Sequence, residues 1–236
     1  MRAVCIIPAR AGSKRIPHKN RRDFCGFPII IHSVRNALSS CLFDEIIVST
    51  DDDELSKYFD LTNPPARIYY RKPEYAGDDV ESEWAMWEIL EENKYAEKYD
   101  ICCYLMATGV FSRPDLLAEA VHILTNQDID IVFPVVQFGY PPQRGLFLNQ
   151  VNQAYYAYSQ YHATNSQDLQ PMYHDAAQFY MFKVSAFMDG WRHQEKRLLE
   201  LNNRVLIMEE SEVQDIDNAD DWKLAELKWK ALHGNA

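Results

Sequence analysis

Residues 4–24 read VCIIPARAGSKRIPHKNRRDF, and the fold follows from how this stretch is understood. An apolar run ends at Pro8 and gives way at once to charge. Arg10, Lys14, Arg15, Lys19, Arg21 and Arg22 follow with no acid among them, a quarter of the chain's 24 basic residues. The chain as a whole is acidic, with a formal net charge of −11 over 236 residues. An apolar strand running into a basic loop with Gly12 and Ser13 is how an open α/β sheet presents backbone N–H groups to an anion. Neither a G-x-x-x-x-G-K-[ST] loop nor a G-x-G-x-x-G turn is present, since Gly12 is the loop's one glycine. Charge alone therefore leaves two readings open, a solvated basic loop or a site with the chemistry of a triphosphate cradle.

Outward from this loop, short apolar runs alternate with amphipathic ones. Strands are expected at 3–7, 45–49, 67–70, 101–105 and 131–135, and helices near 30–40, 52–59, 81–95 and 114–126. That order is the signature of a mostly parallel, Rossmann-like sheet flanked by helices, folded as one domain over 1–236. The pattern changes at about 137–182, which is rich in Tyr, Gln, Asn and Pro. Six of the fourteen tyrosines lie between Tyr155 and Tyr180. A small β-rich insertion is expected there, its aromatics packing a subunit interface or lining a polar pocket. Near the end, Trp222, Ala225, Trp229 and Leu232 recur at helical spacing, with Asn218 or Asp220 placed to cap the helix.

Composition narrows the function classes. The negative charge argues against nucleic-acid or membrane-surface binding except at a local basic site. Cys5, Cys25, Cys41, Cys102 and Cys103 form no C-x-x-C pair, and three lie in apolar runs, which fits a reducing cytoplasm. No signal peptide and no apolar run of spanning length is evident. Asp215 and Asp217 alternate in VQDID. On an extended segment such residues point the same way, so both carboxylates can meet one Mg²⁺, or they are simply two acids near a helix N-terminus.

PARAGSKRIPHKN, YRKPEYAGDD (70–79) and the late DID together resemble the sugar-activating cytidylyltransferases, the family of the CMP-sialic acid and CMP-Kdo synthetases. The family's opening pattern A-R-x-x-S-K-x-x-P-x-K-N is matched at every fixed position. QFGYPPQRGLFLN (137–149) and NSQDLQPMYHDAAQFY (165–180) resemble its pseudaminic acid branch. The resemblance implies a nucleotidyltransferase that moves CMP from CTP to the anomeric hydroxyl of a nonulosonic acid, pseudaminic acid or another acidic sugar of the sialic, legionaminic or Kdo type, and releases pyrophosphate; a non-catalytic relative that binds nucleotide or sugar is the alternative. It implies Arg10, Gly12, Ser13, Lys14 and Lys19 around the triphosphate, Asn20 and Arg71 at the cytidine, and Thr108 in the loop after the fourth strand. It implies Mg²⁺ on Asp215 and Asp217. On the sugar side the candidates are Gln143, Arg144, Gln167, Asp168, His174, Asp175 and Gln178, with Arg144 set to pair with the sugar's carboxylate. A homodimer is also implied.

Several positions depart from the branch pattern. Ala11 stands where a glycine is usual, which strains the chain only if that position has positive φ. Ala107 and Val110 replace two prolines, so a looser or differently shaped loop is expected at LMATGVFS (105–112). Asn165 replaces an arginine, and Ala177 a glycine before Gln178.

Overall fold

A computed structural model describes residues 1–61, 66–77, 82–193 and 197–234. Glu81, expected to open a helix, lies outside the described residues, as do Asp78 and Asp79 of YRKPEYAGDD. Strand β1 (Ala3–Ala9) is the centre of the fold. It pairs in parallel with β4 (Glu45–Thr50) on one side and β6 (Ile101–Leu105) on the other. A strand buried on both faces has no solvent side to mark with polar residues, so β1 is apolar throughout. Its alternate residues separate two cores. Ala3, Cys5, Ile7 and Ala9 pack with α1 (Ile29–Ser40), α3 (Pro114–Asn126) and α5 (Ala219–His233). Val4 and Ile6 pack with α2 (Ser82–Glu92) and α4 (Val184–His193).

A two-residue ladder, β2 (Asp23–Phe24) with β3 (Phe27–Pro28), leads the chain into α1. Beyond β4, β5 (Arg67–Tyr70) forms one sheet edge. On the far side, β7 (Ile131–Gln137) pairs in parallel with β12 (Asn203–Met208), the other edge. Between β7 and β6 runs a broken antiparallel strand, β10 (Tyr173–Asp175) followed by β11 (Phe179–Lys183). The region 137–182 thus divides. Its last part joins the central sheet, and only the hairpin β8 (Leu146–Leu148) and β9 (Ala154–Tyr156) stands apart. The aromatics of this arm, Phe147, Tyr155, Tyr156 and Tyr158, are exposed.

The expected helix at 52–59 is instead a 3-10 helix, Asp53–Leu61. The closing helix is capped by Asn218, whose Oδ1 accepts from the N–H of Asp220 and Asp221. Its apolar stripe stops short of the expected length. Trp222 and Ala225 are buried and Trp229 packs edge-on to Phe24 and His32, but Leu232 is exposed.

The break between β10 and β11 falls at Ala177, in the left-handed region with φ of 50°. Its N–H donates to Asp175 Oδ1 at 2.8 Å, which holds the turn closed. A Cβ in this conformation costs about 1–2 kcal/mol. Ala177→Gly is therefore expected to stabilise the fold by about 0.5–1 kcal/mol, net of the extra freedom it gives the unfolded chain. Chemical denaturation checks this, and a lower midpoint for the variant would contradict it. Ala11, by contrast, has no positive φ, so the missing glycine there carries no strain.

At the amino end of the sheet, Glu45 is a charge hub. Oε1 accepts from Arg67 at 3.1 Å and the Tyr95 hydroxyl at 3.0 Å; Oε2 accepts from Lys98 at 3.1 Å and the Tyr99 hydroxyl at 2.7 Å. Burial alone would raise its pKa, but these bonds, led by Tyr99 and Lys98, lower it to about 2. A depressed carboxylate stabilises the fold above its unfolded pKa, about 4.3, and that contribution is lost as pH falls toward the folded value. The Tm gap between the wild type and Glu45→Gln is expected to be full at pH 7 and to shrink between pH 4.5 and pH 2. A gap independent of pH would refute this.

Candidate functional site

The parallel strands β1, β4, β5 and β6 end on the same side, so the loops that follow them meet at one carboxyl edge. There they enclose a cavity of about 550 Å³. The basic loop is pinned over it by one apolar residue. Ile16 is buried in the core between Arg15 and Pro17, which draws the flanking charges back over the strand ends. Asp51, following β4, accepts the Ala11 N–H at 2.7 Å, and Asn20 Nδ2 donates to the Arg10 carbonyl at 2.9 Å. His18 turns the chain in the left-handed region. The result is a lining of Arg10, Gly12, Ser13, Lys14, Lys19 and Asn20.

The opposite wall comes from β5 and β6. Arg71 is braced by three oxygens. Nε donates to Ser49 Oγ at 3.2 Å, one terminal nitrogen to the Ser49 carbonyl at 3.0 Å and the other to the Tyr75 carbonyl at 3.4 Å. Burial pulls its pKa below the ordinary value, with Asp51 opposing. Thr108 lines the cavity from the loop after β6. That loop is held by hydrogen bonds along its length. Met106 N–H donates to the Gln178 carbonyl and Phe111 N–H to Gln178 Oε1, while Ser33 and Asn36 of α1 hold the Ala107 and Val110 carbonyls. Hydrogen bonds here supply what the absent prolines would have fixed. Gly109 is required by the same packing, since a Cβ would stand 2.7 Å from the Gln178 carbonyl oxygen.

The third wall is the segment between β12 and α5. Lys19 Nζ donates to the Ile216 carbonyl at 2.8 Å, which places its ammonium between the flanking carboxylates. Burial lowers the Lys19 pKa, Asp217 and Asp215 oppose that, and Arg15 and Arg10 reinforce it. Asp217 lines the large cavity and pairs with Arg15 at 2.8 Å. Asp215 lines a smaller cavity of about 170 Å³. Its pKa is raised by burial and then by the Asp217 charge, with Lys19 opposing. The two carboxylates thus border different cavities rather than pointing the same way, with Asp217 the one at the phosphate-sized cradle; a Mg²⁺ there takes one or two carboxylates and fills its shell from phosphate and water. Among the described residues no group of three or more His, Cys, Asp or Glu is arranged for a metal, so the pair would depend on such outside oxygens.

The sugar-side candidates do not converge in this way. Gln143 and Arg144 lie in a turn leading to the arm. Gln143 Nε2 donates to the Gln170 carbonyl at 2.8 Å, while its Oε1 and Arg144 Nε are buried without partners. Gln167 and Asp168 form an exposed turn in which Asn165 donates to Asp168 at 3.1 Å. His174 borders the small cavity beside Asp215. Asp175 accepts from Tyr180 as well as from Ala177, and burial and Asp175 keep that tyrosine protonated. Gln178 is buried and bonded to the Phe111, Ala176 and Gln214 backbone. The sequence reading did not single out Arg15, Tyr104 or Met106 as lining residues. Arg15 stood within the basic loop, and Tyr104 and Met106 bracket the carboxyl end of β6, the edge where such sheets bind.

Residues 4–214 match the family model described as cytidylyltransferase. The chain is 34% identical, over the full length of both, to the pseudaminic acid cytidylyltransferase of Campylobacter jejuni. It is 32% identical over 92% of its length to a Helicobacter pylori protein named pseudaminic acid cytidylyltransferase and UDP-2,4-diacetamido-2,4,6-trideoxy-beta-L-altropyranose hydrolase, covering 40% of that protein. Among solved structures, a CMP:2-keto-3-deoxy-manno-octonic acid synthetase complexed with CTP superposes with a TM-score of 0.70 at 16% identity, over 99% of each chain. The 4-diphosphocytidyl-2C-methyl-D-erythritol synthase of Anaerococcus prevotii gives 0.63 at 13%, over 97% of this chain and 98% of that one. At such identities these two establish the shared fold.

Proposed function

Because the chain belongs to the cytidylyltransferase family, we propose that it transfers CMP from CTP to pseudaminic acid, a nonulosonic acid, and releases pyrophosphate. The observation that carries this reading is the single cavity in which the basic loop, Arg71, Thr108 and Asp217 meet. Its lining is cationic where a triphosphate would lie, in a chain that is otherwise acidic. Full-length relatives bear this activity in their names.

The residues divide the work by position. Arg10, Lys14 and the N–H groups around Gly12 and Ser13 balance the triphosphate charge. Lys19, already fixed by the Ile216 carbonyl, needs no reorganisation to meet charge that develops on the leaving pyrophosphate. Asn20 and the braced Arg71 address the cytidine. Asp215 and Asp217 would hold Mg²⁺, which when bound clamps phosphate oxygens and favours ionisation of the attacking hydroxyl. The unpartnered Arg144 Nε supports a role for that residue toward the sugar's carboxylate, with Gln143, Gln167, Asp168 and His174 as further contacts. Asp175 and Gln178 reach a sugar only by exchanging their present partners.

The exposed apolar arm supports a homodimer, and light scattering at the mass of a single chain would refute that. Buried thiols in β1 and β6 support a reducing, cytoplasmic setting; among the described residues no helix is long and apolar enough to cross a membrane. The deciding assay is pyrophosphate release with CTP, Mg²⁺ and a panel of pseudaminic, legionaminic, sialic and Kdo-type acids. Release is expected with pseudaminic acid. Release with another sugar alone would correct the acceptor, and release with none would overturn the reading.

A further inference from the structure

Lys228 lies on α5 and belongs to no motif. Its Nζ donates to the Glu210 carbonyl at 2.6 Å, the Val213 carbonyl at 2.8 Å and Gln214 Oε1 at 3.1 Å. An ammonium has three N–H donors, and all three are spent on one stretch of chain. That stretch follows β12, has no strand partner of its own, and runs directly into Asp215 and Asp217. Gln214 carries the connection in two directions. Its Nε2 donates to the Asp215 carbonyl at 2.9 Å, and its own carbonyl accepts from Gln178 Nε2 at 3.5 Å. Gln178 in turn holds the loop bearing Thr108 through Met106 and Phe111.

We propose that Lys228 is a positioning residue for the Asp215 and Asp217 carboxylates, fixing the segment that carries them and, through Gln214 and Gln178, its spacing from the Thr108 wall. The inference rests on the reading that these carboxylates hold the reaction's metal. An ordinary packing lysine would affect stability alone. A positioning lysine affects the metal site selectively.

The test compares the wild type with Lys228→Met, which keeps chain length and removes the donors. In the full-length protein, Mn²⁺ affinity in the presence of CTP, read by electron paramagnetic resonance, is expected to fall about 10- to 100-fold, the range for loss of an outer partner of a metal ligand. Hydrogen exchange at 213–217 in the ligand-free protein is expected to speed up, while CTP affinity without metal is unchanged. Gln214→Ala removes one acceptor and leaves α5 intact. It is expected to shift both readouts in the same direction, and it judges the proposal if Lys228→Met does not fold. Unchanged metal affinity and exchange would overturn the proposal, as would equal losses of CTP and metal binding that follow Tm. A wild type that binds metal but turns over no sugar would overturn the proposed reaction instead, because neither readout needs turnover.

Discussion

Replacing Lys19 with Met is expected to lower kcat/KM for CTP by about 10²- to 10³-fold, the loss typical when one preorganised donor to developing charge is removed. Lys19 differs from the other cations of its loop. One donor is committed to the Ile216 carbonyl, so the side chain cannot swing away, and the others remain free to face phosphate. Arg10 and Arg15 are more exposed, and the neighbouring Arg15 charge already engages Asp217. Methionine keeps the length and the partly buried packing of the stem while removing the charge. Lys19→Arg is not expected to rescue, because a planar fork cannot replace a compact ammonium on that carbonyl. Steady-state kinetics with a Tm control decide the matter: wild-type kcat/KM in the Met variant would remove Lys19 from the reaction.

Asp217→Asn is expected to cut turnover at saturating CTP by about 100-fold or more and to raise the Mg²⁺ needed for half-maximal rate, since a clamped metal contributes several kcal/mol to such a transition state. The substitution keeps the shape and removes the carboxylate proposed to meet the metal. It also loosens the Arg15 pair, but both partners are exposed and such pairs add little to stability. Activity should therefore fall without a matching fall in Tm. Mg²⁺ titrations that superimpose for the two proteins would exclude Asp217 from the metal.

The basic loop was legible because charge, glycine content and spacing all sit within one short stretch. The parallel strands were legible because burial on both faces leaves unbroken apolar runs. The break at Ala176–Ala177 was less so: β10 and β11 are short, antiparallel and interrupted, and no local pattern says that they insert between β6 and β7. The 52–59 stretch has helical periodicity but closes as a tighter turn against Asp52 and the strand ends. The lost prolines said nothing of the hydrogen bonds that hold their loop, for a different reason. Proline acts through its own φ, whereas Ser33, Asn36 and Gln178 act from far along the chain. Lys228 was illegible for the same cause. A lysine on an amphipathic helix looks like any other until the fold brings the Glu210 and Val213 carbonyls and the Gln214 side chain to it.

The Lys19–Ile216 bond joins residues 197 positions apart. The anion cradle and the acidic segment are thus two jaws from distant parts of the chain, and the acidic one runs straight into α5. Ligand occupancy is therefore expected to be coupled to the docking of that helix. A nucleotide at a hundredfold excess over its Kd adds about 2.7 kcal/mol to whatever form binds it, and here that form is the closed clasp. Substrate supply would then act as a tether on the protein's own tail. The empty protein is expected to fray from α5 first and the loaded one to open as a unit, a difference that limited proteolysis with and without CTP and Mg²⁺ would register.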